Sequence, residues 1–318
     1  MRIIIAFLVG SATSFLLFNY RSRQANQFIE TRQQGNYQLI NPLLECDSAN
    51  FAQDPNLFSI KEKLIAYLNQ AKSNSQITFA SIYYRDLNNG PWIGINEKEL
   101  FSPASLVKVP IMITYLKLVE KDPNLLKQLL TYPSSLPPTR QSITPLQTLE
   151  IGNTYTIEDL INKMIIYSDN KAYDLLNSHL DSKLVIKTYD DLGVDISKGL
   201  TDPSGNILSV RDYASFFRLL YNSSYLSKDL SEKALEILSQ VNYRDGLVAG
   251  IDPKITVAHK FGERVYESTG EKQLHDCGIV YLPGKPYLIC VMTRGQDFAK
   301  LSTFIQEISR LVFTHLKS

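Results

Sequence analysis

Histidine and cysteine are scarce, with four and three in 318 residues. His179, His259, His275 and His315 show neither H-E-x-x-H nor paired-cysteine spacing, which argues against a zinc site. The chain also lacks an excess of either charge. Its 33 Lys and Arg face 32 Asp and Glu, for a formal net charge of +1. These charges are scattered, which removes the basic footprint of a nucleic-acid binder. No internal repeat and no compositional sign of disorder interrupts the sequence.

What remains is a body long enough for a substantial core. It is preceded by two segments of another kind. Ile3 to Tyr20 is a run of roughly 18 mainly apolar residues, near the length that spans a bilayer, flanked by Arg2, Arg21 and Arg23. Ile3-Ile4-Ile5 and Leu16-Leu17-Phe18 leave no polar face. Without a small-x-small cleavage signal after it, residues 1–21 read as an uncleaved signal anchor rather than a cleaved signal peptide. Basic residues at both ends leave its orientation open. Residues 22–54 are Gln- and Asn-rich and read as a spacer, within which Asn41 to Cys46 is apolar enough to dock on the body. Glu45 beside Cys46, and its distance from the apolar run, argue against a lipid anchor there.

From residue 55 to 318 the periodicities describe a single domain. An amphipathic helix is expected from Ser59, strands over Ile77–Arg85 and Trp92–Ile95 about an Asn88-Asn89-Gly90 turn, and helices over 107–120, 157–166 with Thr156 as N-cap, 171–180, 210–221 and 228–241. The Pro- and Ser-rich stretch from Tyr132 to Pro145 reads as irregular. Strand signals return over 255–261, 278–282 and 287–293, before a closing helix over 299–316. Two early strands, three late ones and a helical block between them predict an α+β fold: a mostly antiparallel five-stranded sheet flanked by helices, with an inserted helical subdomain.

The chemistry starts at Ser105 and Lys108. Three residues apart at a helix start, they share a face, and unpaired N–H groups there favour a developing alkoxide. A Lys108 amine partly buried on an apolar face would accept the serine proton. Further on, Tyr167-Ser168-Asp169-Asn170 places a hydroxyl and an amide at a helix–helix junction. His259-Lys260-Phe261-Gly262 ends a β-rich run, where the glycine permits close backbone approach.

Ser105-x-x-Lys108, Ser168-Asp169-Asn170 and Lys260-x-Gly262, in this order, resemble the three active-site motifs of class A β-lactamases and penicillin-binding D,D-peptidases. The resemblance covers about residues 55 to 318. It implies Ser105 as acylated nucleophile, Lys108 as its base and Ser168 as proton relay to the leaving nitrogen. It further implies that Lys260 holds Ser168 and the substrate's negative end, and that Asn170 donates to the substrate's side-chain amide. The backbone N–H groups of Ser105 and Glu263 would form the oxyanion hole. Substrate-binding residues are thus Asn170, Phe261, Gly262 and Glu263. No cofactor or metal is implied. The partners implied are a β-lactam or peptidoglycan-peptide substrate and, through residues 1–21, a membrane; the chain is expected to be a monomer in the bacterial cell envelope, its body outside the cytoplasm.

Two departures from the family shape the expectation. Phe261 stands where the family carries a hydroxyl, removing a charge-assisted bond worth about 1.5–3 kcal/mol to a substrate carboxylate. No Glu-x-x-Leu-Asn loop lies between Leu192 and Ser209 to activate a deacylating water. Asp202 is an alternative base, against its plainer reading as a turn residue before Pro203. Glu150 reads as a solvated loop carboxylate, and His275 with Cys277 as a structural pair rather than a thiol nucleophile. The resulting expectation is a peptidase-like serine hydrolase with slow β-lactam deacylation. Its alternatives are an efficient β-lactamase, a β-lactam or peptidoglycan sensor acylated once, and a wall-binding module without turnover. For the cysteines, a Cys46–Cys277 disulfide with Cys290 free and buried is expected.

Overall fold

The computed structural model describes residues 30–32, 37–46, 55–88, 90–136, 140–196 and 205–317. In chain order the elements are β1 Glu30–Arg32, β2 Leu43–Cys46, α1 Pro55–Ser73, β3 Phe79–Asp86, β4 Trp92–Ile95, β5 Leu100–Phe101, α2 Lys108–Val119, β6 Leu129–Thr131 and β7 Thr154–Thr156. They continue as α3 Ile157–Ile166, α4 Asn170–Ser178, α5 Ser182–Asp191, β8 Leu208–Ser209, α6 Val210–Tyr221, α7 Lys228–Ser239, β9 Val257–Val265, β10 Lys272–Val280, β11 Tyr287–Gly295 and α8 Phe298–Lys317.

The main sheet has the order β4-β3-β11-β10-β9, and each neighbouring pair is antiparallel. Side chains alternate across a strand, so each strand feeds two cores. On one face Tyr83, Cys277, Ile279, Leu288 and Met292 join Val109 and Met112 of α2 and Phe216 and Phe217 of α6. On the other, Ile82, Tyr84, Leu274, Ile289 and Val291 join Leu64 of α1 and Phe304, Ile305 and Ile308 of α8. Burial on both faces explains why β11 reads as a nearly unbroken apolar run. The helical subdomain of α2 to α7 lies on the first face. The expected α+β plan with its five-stranded antiparallel sheet is the one observed.

Helix starts follow their caps. The Thr156 side chain accepts from Asp159 N and the Asp159 carboxylate accepts from Thr156 N, a reciprocal pair that begins α3. Asp169 and Asp181 cap α4 and α5 one way, their carboxylates accepting from Lys171 N and Lys183 N. Helix α5 was absent from the periodicity reading, because its short apolar stripe leaves only Thr188 and Tyr189 buried.

Three expectations need correction or placement. Cys277 is bonded to Cys290 and not to Cys46. The two are direct cross-strand partners in the β10–β11 register, a pairing that could be read only once the register was known. Cys290 is therefore not a free thiol. Second, Ser105 precedes the α-helix and sits in a 3-10 turn, Ala104–Val107, that leads into α2 at Lys108. Third, the apolar run Ile3–Tyr20 and Asp202 lie outside the described residues. Among the described residues no helix is long and apolar enough to cross a membrane.

The segment from Tyr37 to Pro42 docks on the body. The Glu232 carboxylate accepts from the N–H groups of Gln38, Leu39 and Ile40. Asn41 N donates to Tyr221 O at 2.7 Å, and Ile40 enters the first core.

Candidate active site

Three elements meet at the Ser168 hydroxyl. Ser168 lies in the junction between α3 and α4, with φ +56°, a left-handed conformation uncommon for a residue with a Cβ. That geometry turns the chain sharply enough for Asp169 to cap α4. Lys108, the first residue of α2, is 1 % exposed, and its Nζ donates to Ser168 O (2.6 Å), Asn170 Oδ1 (2.6 Å) and Ser168 Oγ (3.2 Å). Lys260, on β9, is fully buried and donates to Ser168 Oγ (2.9 Å) and Phe261 O (2.9 Å). One hydroxyl is thus flanked by two lysine nitrogens.

Burial disfavours the charged form of both. It lowers the Lys108 pKa to about 7, against a partial opposing pull from Asp169, Asp174 and Glu263. Burial and then the nearby Lys108 charge hold Lys260 well below the ordinary lysine value. The three bonds of Lys108 saturate an ammonium. As a neutral amine it keeps two N–H groups for the two carbonyl oxygens at 2.6 Å and gains a lone pair.

Strand β9 is a sheet edge, and its free side faces the 3-10 turn. Phe261 O accepts from Lys260 Nζ, so it points away from β10. By the period of two, Glu263 N–H points to the same free edge. A Cβ built on Gly262 would lie 3.1 Å from the backbone nitrogens of Ser105 and Leu106. Glycine is what lets this strand approach the serine's N–H closely. Two backbone donors, Ser105 N–H and Glu263 N–H, therefore flank the approach to Ser105. The turn is held from below, since Tyr213 Oη donates to Leu106 O and Ser102 N donates to Gln273 Oε1.

The structure brings together all eight residues singled out in the sequence: Ser105, Lys108, Ser168, Asn170, Lys260, Phe261, Gly262 and Glu263. The ring of Phe261 is 5 % exposed and stacks on Tyr243 with centroids 4.2 Å apart. Its contribution to the cleft is its backbone carbonyl. Of the other candidates, Cys277 is in a disulfide, and His275 sits in a buried contact between its Nε2 and Ser102 O. Burial lowers the His275 pKa to about 4, which keeps the ring neutral. Glu150 is exposed and accepts from Asn153 Nδ2.

Two features escaped sequence reading. His259, next to Lys260 but on the opposite face of β9, bonds Asp276 at 2.8 Å, and Asp276 also accepts from Leu247 N. The segment 140–149 forms a strap over the site. Asn170 Nδ2 donates to Arg140 O, Asn170 N to Gln141 Oε1, and Thr148 Oγ1 and Leu149 N to the Asp169 carboxylate. Its sequence carries no periodicity from which such contacts could be read.

Comparison with known proteins gives one family and one fold. A family model described as the beta-lactamase enzyme family matches residues 60–316. The structure of PBP-A superposes with a TM-score of 0.68 at 25% identity, over 80% of this chain and 96% of that one. A PBP-A point mutant, as its acyl-enzyme complex with penicillin G, gives 0.69 at 23% identity over 82% and 97%. A class A β-lactamase from Mycobacterium abscessus gives 0.67 at 21% identity over 80% and 100%. No protein of curated function matches. The matched residues take in the whole site from Ser105 to Glu263, so the chain belongs to the beta-lactamase enzyme family and has the fold of the class A β-lactamase-like serine hydrolases.

Proposed function

We propose that the protein is a serine acyl-transfer enzyme acting on D-Ala-D-Ala-type amides, acylated by β-lactams but slow to release them. The observation that carries this reading is the Ser168 hydroxyl held between Lys108 and Lys260, beside a serine whose N–H faces Gly262. Neutral Lys108 takes the proton from Ser105 Oγ as the oxygen attacks the amide or lactam carbonyl. The oxyanion develops against the N–H groups of Ser105 and Glu263, where fixed dipoles stabilise it without reorganisation. The C–N bond then breaks, Ser168 passes its proton to the leaving nitrogen, and the lysines on either side restore it. Asn170 and the free edge of β9 orient the acyl side, and Lys260 attracts the substrate's negative end.

Deacylation requires a second base for water. No family-type glutamate is present, so Lys108 serves both steps, and general-base assistance worth ~10²–10⁴-fold is weakened. Transfer of the acyl group to an amine avoids that deficit, which favours a peptidase-like role over antibiotic hydrolysis. The envelope location and the anchor at residues 1–21 belong to the same proposal. A buried disulfide between Cys277 and Cys290 supports a body outside the reducing cytoplasm. Protease shaving of intact cells checks this part; a body protected while an external marker is cut would reject it.

Mass spectrometry after incubation with penicillins, cephalosporins and D-Ala-D-Ala mimics should show a covalent adduct on Ser105, lost in Ser105→Ala and Lys108→Ala. Pre-steady-state kinetics with a chromogenic cephalosporin should give a burst equal to the enzyme concentration, then a slow phase. Labelling retained in Ser105→Ala sinks the nucleophile. A linear trace at turnover of ~10 s⁻¹ or more makes the protein an efficient β-lactamase instead.

A further inference from the structure

The cleft has two walls, and one side chain ties them together. On one wall, both ends of the strap are bonded to the junction at Ser168–Asn170: Arg140 O and Gln141 Oε1 to Asn170, and Thr148 and Leu149 to Asp169. The other wall is the free edge of β9. Between them, Glu263 Oε1 accepts from Ser142 N at 2.5 Å and from Ile143 N at 3.1 Å. Its backbone N–H is one of the two donors flanking the approach to Ser105, so the same residue supplies a grip on a carbonyl and a carboxylate across the mouth.

The position of that carboxylate relative to a reacting group follows from the site. With the carbonyl oxygen between the N–H groups of Ser105 and Glu263, the substituent on the acyl side runs toward Asn170. Asn170 is bonded to the strap at Arg140 and Gln141, so in the proposed reading that substituent lies between the strap and Glu263. Entry therefore takes the carboxylate off Ser142 and Ile143 and leaves a negative charge facing that substituent. The two arginines on the strap and beside Glu263 in the strand are already engaged. Arg140 pairs with Glu267 at 2.7 Å on the exposed rim, and Arg264, in the alternate row of β9, donates to Ser102 Oγ with its guanidinium 4.7 Å from the Tyr266 ring centroid.

We infer that Glu263 is a specificity-determining residue that selects acyl donors whose acylamino side chain carries an ammonium group at its α carbon and disfavours those carrying a carboxylate there. The inference rests on the proposed reading of the site and names a substrate class for it. The favoured side chain is an α-aminoacyl group on the donor, whose ammonium replaces the two lost N–H contacts of Glu263 with an ion pair. A donor with a carboxylate at that carbon would meet Glu263 with like charge.

The test uses three penicillins that share a phenylacetyl-type side chain and differ only at its α carbon, which carries an ammonium, a hydrogen or a carboxylate. Second-order acylation rates of Ser105 are measured by mass spectrometry for the wild type and Glu263→Gln. The wild type should rank ammonium over hydrogen over carboxylate, with about fivefold or more between the ends, as expected of a partly exposed charge pair and its like-charge counterpart. Glu263→Gln should collapse the ratio toward one. Using a ratio removes any general effect of the substitution on the backbone donor, which acts equally on all three. Equal rates in the wild type, or a ranking kept in Glu263→Gln, overturn the role of Glu263 alone. No acylation by any of the three overturns the reading of the site and the preference with it.

Discussion

In the proposed reaction Lys108 is the base, and its environment governs acylation. Burial lowers its pKa from the ordinary lysine value to about 7, so at neutral pH a substantial fraction of the folded protein holds the amine that can take a proton. Acylation rates should rise with pH and level off above an apparent pKa near 7, measured with a β-lactam carrying no ionisable side chain. A profile flat between pH 5.5 and 9 removes Lys108 from the proton path. The same shift acts on stability with a definite sign. Between pH 7 and the unfolded value of 10.5, the unfolded chain binds a proton that the folded chain does not, so stability from this group rises with pH across that window. Below pH 7 the full cost of a buried ammonium is present. Lys108→Met should therefore compare most favourably with the wild type near pH 6, and the comparison should worsen toward pH 10, as read from denaturant unfolding.

At the scale of elements, the Thr156 cap and the close-approach glycine beside Lys260 were legible in the sequence, and the strap was not. Thr156, the hairpin turn at Asn88 and the alternating or unbroken apolar runs report local backbone geometry, so they indicate where elements begin and on which face they bury. The motifs at Ser105, Ser168 and Lys260 were legible as chemistry because each combines a reactive side chain with a helix start or a glycine. Contacts such as Glu232 with residues 38–40, or Glu263 with residues 142 and 143, join a helix or strand residue to a loop more than a hundred residues away. The loop partner carries no periodic signature. The cysteine pairing failed for the same reason: it follows from strand register, and register is a property of the assembled sheet. The Glu232 contact gives a direct test of what such loops contribute. Its carboxylate, 8 % exposed, satisfies three backbone donors, and Glu232→Ala leaves them without that acceptor. A loss of about 1–3 kcal/mol is expected, with faster amide exchange confined to residues 37–42. An unchanged exchange pattern there would show that the segment is held by Ile40 and Tyr37 instead.

For the whole molecule, the sheet is the common wall of two cores, and the site sits where its edge strand meets the helical block. The Cys277–Cys290 bond lies inside that wall, on the face toward the helices, with Cys277 directly opposite Lys260 in the β9–β10 register. The two strands it joins are already paired over nine residues and connected by a short turn, so it sets neither their register nor their order. Its contribution is to restrict the unfolded chain: closing a loop with a sequence separation of 13 predicts about 3 kcal/mol in the chain-entropy account. Cys277→Ala with Cys290→Ala should therefore lower the denaturant midpoint by that order while leaving the cooperative transition intact. Acylation of Ser105 should survive, because Lys260 is held by Ser168 Oγ and Phe261 O rather than by the sulfur pair. Loss of acylation in a variant that still unfolds cooperatively would mean that the disulfide positions Lys260 through packing. The oxidised body would then be the active form, and the redox state of the compartment would enter the chemistry.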